Sequence, residues 1–135
     1  MSYPIIEIEG IGPVYAEKLT AVGIKTTGDY LERAKDPKGR KALAEETGID
    51  DKRILKWANM ADLMRISGVG EEYSELLEAA GVDTVKELKH RNAENLAAKM
   101  KEVNDEKKLV RLVPSEKNVV KWVEQAKELA PMMTY

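Results

Sequence analysis

The chain has no cysteine, no phenylalanine and one histidine, His90, among its 135 residues. Without thiols there is no disulfide, no thiolate zinc site and no cysteine nucleophile. A single histidine flanked by Lys89 and Arg91 leaves a metal site to carboxylates alone, so none is expected and His90 reads as a solvated side chain. No P-loop and no histidine-based triad is present, the expectation is a protein that is not an enzyme, and neither a cofactor nor a small-molecule substrate is implied. No apolar stretch resembles a signal peptide or a membrane span, which makes the cytoplasm the expected compartment and excludes a membrane partner. An excess of positive charge is lacking too. The 22 Lys and Arg face 24 Asp and Glu, a net charge of −2, so no long-range field draws the chain onto nucleic acid and any such contact must be local.

What is present is a duplication. Ile8-Glu9-Gly10-Ile11-Gly12 is answered by Ile66-Ser67-Gly68-Val69-Gly70 at an offset of 58, and Tyr15/Tyr73, Leu19/Leu77, Gly23/Gly81 and Thr26/Thr84 continue the match. Chain length suits one domain with internal symmetry, residues 1–135, with repeat one at about 5–64, repeat two at about 65–130 and a short extended tail at 131–135. Lys, Glu, Ala and Leu are abundant, which favours helices over strands. Pro13 follows Gly12 as a first helical residue, and Gly23 supplies a stop. Thr26 and Thr84 stand three residues before Asp29 and Glu87, the capping-box spacing. Asp36, Asp50, Asn92 and Ser115 are further caps. Trp57 and Trp122 lie on apolar helical stripes and are expected to anchor the core. Met60, Leu63, Met64 and Ile66 bridge the copies and suggest one shared core. Leu109 to Val113 is read as a loop that packs back on the body. The segment Met1 to Pro4 is expected to be extended. The tail, with Met132, Met133 and Tyr135, is either disordered or a docking segment.

A glycine, an apolar residue and a second glycine between two short helices let the backbone turn tightly and present amides at the start of the second helix, a potential phosphate cradle. This arrangement, once in each copy, resembles the helix-hairpin-helix motif. Together with the Lys56-Trp57 and Lys121-Trp122 helices and the Met-Thr-Tyr end, it resembles a family of small proteins known only as a tandem helix-hairpin-helix domain of unknown function. The resemblance covers nearly the whole chain. It implies an all-α fold in which two helix-hairpin-helix repeats, related by a pseudo-twofold, pack as one compact helical domain. For DNA-binding members of the motif class it implies sequence-independent contact between hairpin amides and phosphates.

The chain departs from that pattern, since Pro13-Val14-Tyr15 and Glu71-Glu72-Tyr73 stand where DNA-binding hairpins often carry Lys or Arg. Residues 5–32 hold 2 basic and 5 acidic groups, and residues 65–89 hold 3 and 6. Glu71 and Glu72 at a helix start repel an incoming phosphate, so the second hairpin reads as structural. The candidate nucleic-acid site is therefore the first hairpin, Gly10, Ile11, Gly12 and Val14, with Lys18 and Lys25 nearby and the cluster Arg33, Lys35, Lys38, Arg40 and Lys41 on phosphates. Binding there would be weak and steeply dependent on salt. The alternative is a protein-interaction or scaffolding module whose hairpins only make turns.

Overall fold

Eight α-helices and one short 3-10 helix build residues 2–135, which the computed structural model describes; Met1 lies outside them, and so does its part of the expected extended start. The 3-10 helix Ile5–Glu7 is followed by α1 (Pro13–Ala21), α2 (Thr27–Ala34), α3 (Pro37–Thr47) and α4 (Asp51–Leu63). The second half holds α5 (Glu71–Ala79), α6 (Val85–Leu88), α7 (Ala93–Lys107) and α8 (Glu116–Glu128). The only β contact among the described residues is an isolated bridge between Pro4 and Thr26.

Each expected cap is in place. Thr26 Oγ1 accepts from the Asp29 amide at 3.1 Å, while the Asp29 carboxylate accepts from the Thr26 amide at 3.2 Å, a complete reciprocal box. Asp36 takes the Gly39 amide at 2.7 Å, Asp50 that of Arg53 at 3.1 Å, Asn92 that of Asn95 at 3.0 Å and Ser115 that of Asn118 at 3.2 Å. The box at Thr84 is half-formed. Its hydroxyl accepts from the Glu87 amide at 3.3 Å, but the Glu87 carboxylate turns to the Asp83 amide at 3.4 Å. The helix it starts, α6, has 4 residues against 8 in α2.

The apolar interior divides into two clusters where a single core was expected. One gathers residues 5–64 around Ile8, Leu19, Tyr30, Leu43, Ile54 and Trp57, with Met133 added from the tail. The other gathers residues 63–126 around Ile66, Leu77, Val82, Met100, Val119 and Trp122. Polar residues mark the junction. Asp62, 1% exposed at the end of α4, accepts from the Val85 amide at 2.8 Å and from Arg65 at 2.8 Å, and Arg65 also donates to the Ala130 carbonyl at 2.7 Å. The Asp62–Val85 bond ties the end of α4 to the start of α6.

Two segments that sequence leaves open acquire definite positions. Asn104 holds the loop after α7 by pairing both side-chain atoms with the Val110 backbone, at 2.9 and 3.0 Å, which buries Val110 while Leu112 stays exposed. The tail is ordered and crosses back to the first half. Thr134 donates its amide to the Lys35 carbonyl at 2.8 Å, Met133 is buried, and the Tyr135 hydroxyl donates to Asn59 at 2.7 Å.

Candidate functional site

Each glycine turn is built on a tryptophan. Gly10 has φ of +94° and Gly68 +93°, in the left-handed region that favours glycine, and a Cβ on either would sit 3.3 Å from the indole nitrogen of Trp57 or Trp122. Glycine is thus needed there for both conformation and space. The ring of Tyr15 meets Trp57 edge-on with centroids 5.2 Å apart, and Tyr73 meets Trp122 at 5.2 Å. Both tyrosines therefore brace the tryptophans beneath the turns. Backbone bonds match as well: Ile11 donates to Ile8 at 3.0 Å and Val69 to Ile66 at 3.1 Å, while Ala16 donates to Gly12 and Ser74 to Gly70, both at 2.9 Å.

These bonds decide which amides of the first turn are available. Ile11 is buried and its amide is taken, so it leaves the candidate set. Gly12 precedes α1 without a capping side chain, and Pro13 has no N–H. The amides of Val14 and Tyr15, in the first turn of α1, have no intrahelical acceptor. Val14 is 67% exposed.

Carboxylates gather beside this turn. Burial, a hydrogen bond with Glu9 and the charges of Glu9, Glu7 and Glu72 push the Glu71 carboxyl up to about 7. Glu75 is raised by burial and by Glu9, against the pull of Lys56. Glu9 precedes Gly10 and Glu71 follows Gly70, so the two glycine turns meet through their acids. Among the described residues no group of three His, Cys, Asp or Glu side chains is arranged to hold a metal.

The cations are less available than their sequence positions suggest. Arg33 pairs with Glu46, and Lys35 with Glu32 at 2.8 Å. Arg40 is buried, donating to the Ala34 carbonyl at 2.9 Å and the Thr134 carbonyl at 2.7 Å, with its guanidinium 5.4 Å from the Tyr135 ring centroid. It is a clamp for the tail and not a surface cation, because the helix face that carries it packs against the returning chain. Lys38 and Lys41 stay exposed, and Lys41 borders a shallow pocket with Pro37, Asp51, Leu55 and Tyr135. Lys25 is exposed, and its amide is bound to Asp29 at 3.1 Å. Lys18 lies 6.0 Å from the Tyr15 ring centroid, beside the first turn. Sequence reasoning missed Arg53, whose guanidinium is 5.6 Å from the same centroid while paired with Asp50 at 2.5 Å. The Asp50-x-x-Arg53 spacing signals that pair, but only tertiary packing brings it to Tyr15.

No curated protein and no solved structure matches the chain. One family, described as a domain of unknown function (DUF4332), matches residues 9–129, a span that takes in both glycine turns, both tryptophans and every α-helix. The chain belongs to the DUF4332 family.

Proposed function

We propose that this is a non-enzymatic tandem helix-hairpin-helix module, with its two halves related by a pseudo-twofold, that binds a protein partner and uses its hairpins as structural turns. The observation that carries this reading is the meeting of Glu9 with Glu71, with Glu7, Glu72 and Glu75 around them, at the place where a phosphate backbone would have to approach. A carboxylate cluster there repels a polyanion. Three of the five clustered cations are engaged within the chain, so they offer little to offset that repulsion.

A second reading, weak sequence-independent binding of nucleic acid through the first hairpin, draws support from the uncapped start of α1 and from Lys18 and Arg53 around Tyr15. Fluorescence anisotropy of labelled single- and double-stranded DNA and of RNA separates the two. The protein-binding reading expects no titration at near-physiological salt and no difference between the wild type and Gly12→Asp. Micromolar binding that weakens with salt and disappears in a folded Gly12→Asp variant would replace it with the nucleic-acid reading.

A further inference from the structure

The halves differ where α2 or α6 hands over to the next helix. In the first half this place is closed: Gly39, whose amide is capped by Asp36, lies so near α2 that a Cβ would stand 1.9 Å from the Arg33 carbonyl. In the second half α6 ends after 4 residues, and Asn92 caps not a glycine but Asn95. The result is a concave cavity of about 370 Å³ lined by His90, Arg91, Asn92, Asn95 and Lys99 over a floor of Ala80 and Leu96.

Its lining contains no carboxylate. Arg91 is held from behind through one nitrogen, Nη2, which donates to the Gly81 carbonyl at 2.7 Å and to Glu87 at 3.0 Å. Its Nη1 and Nε are not used by any hydrogen bond among the described residues. Nor are the side-chain amide nitrogens of Asn92 and Asn95 or the His90 ring. Lys99 has only Glu102, at 4.0 Å, the outer limit of an ion pair. Several donors, two of them on cations whose carboxylate partners Glu87 and Glu102 lie outside the lining, therefore border one pocket, while the start of α7 is already capped by Asn92 and is not what attracts the ligand.

We propose that this pocket binds a phosphomonoester group, with Arg91 and Lys99 balancing its charge and His90, Asn92 and Asn95 donating to its oxygens. The site is separate from both hairpins and does not rest on their assignment.

The test is an amide chemical-shift titration of the full chain with inorganic phosphate, with a nucleoside 5′-monophosphate and with an oligonucleotide lacking terminal phosphates, against sodium chloride of equal ionic strength. Phosphate and the monophosphate are expected to give saturable shifts at residues 90–95 and at the Asn92 and Asn95 side chains. Lys99→Glu and His90→Ala, at solvent-facing positions, are each expected to weaken binding by about tenfold or more. Gly12→Asp is expected to leave it unchanged, so failure here and failure of the hairpin reading are told apart. Shifts no larger than those from chloride, or shifts untouched by Lys99→Glu, would overturn the proposal. Saturation by the oligonucleotide alone would overturn the monoester assignment.

Discussion

Single residues show how much chemistry hides in a repeated glycine. Gly10 and Gly12 are equivalent letters in the motif but not in space. Gly10 combines φ of +94° with the Trp57 nitrogen 3.3 Å from where a Cβ would stand, whereas a Cβ on Gly12 meets no atom within 4 Å, and its φ of −85° suits any residue. Gly10→Ala is therefore expected to destabilise the protein by about 1–2 kcal/mol, the cost of placing an L side chain in left-handed backbone. Gly12→Ala should stay within about 0.5 kcal/mol of wild type. Urea denaturation of the two variants checks the contrast; equal losses would mean that neither the left-handed backbone at Gly10 nor Trp57 sets the requirement. The pattern of two glycines was legible in sequence. Which one is obligatory was not, because the deciding atom belongs to a helix more than forty residues away in the chain.

At the scale of elements, capping was the most readable layer. Asp36, Asp50, Asn92 and Ser115 each stand immediately before the helix they cap, since a cap needs only its own first turn. The Thr84 box failed halfway because the Glu87 side chain has other partners, the Asp83 amide and Arg91. Arg40 was misread for a related reason. A cation beside Lys38 and Lys41 reads as a phosphate contact until the tail returns to cover it. Arg40→Met should free the tail, costing about 1–3 kcal/mol for the buried carbonyls left without a donor. Hydrogen exchange would then show protection lost at Thr134, whose amide is bound to Lys35 at 2.8 Å in the intact protein. Retained protection in a folded Arg40→Met protein would show that Met133 and Tyr135 hold the tail without the clamp.

For the molecule as a whole, the contact between the halves carries a pH dependence. The Glu71 carboxyl, at about 7 in the folded protein against an ordinary 4.5, holds its proton more tightly than in the unfolded chain. Its stabilising contribution is complete below about 4.5 and is lost as pH rises through about 7. Because this side chain is largely exposed, the effect is on the order of 1 kcal/mol after solvent screening, roughly 3 °C in Tm. Moving from pH 8 to pH 5.5 should raise Tm by about that amount, and Glu71→Gln should remove most of the rise. A Tm that rises equally in the variant would place the titrating group elsewhere. At lower pH the trend reverses. The Lys25 and Thr26 amides hold the Asp29 carboxylate below its usual range, and Arg53 does so for Asp50, so their contributions are present above about 3.8 and are lost as pH falls further.

Local sequence determined the helices, their caps, the two glycine turns and the burial of both tryptophans, since each follows from residues within a turn or two or from a periodic apolar stripe. Tertiary structure alone decided that the interior is two clusters joined through Asp62 and Arg65, that Arg40 serves the tail, that Glu9 meets Glu71, and that a cationic pocket opens beside the short helix α6. Each of these depends on distant segments meeting, and a side chain's charge, exposure and partners are properties of that meeting. The residue type supplies only the donors and acceptors that the meeting puts to use.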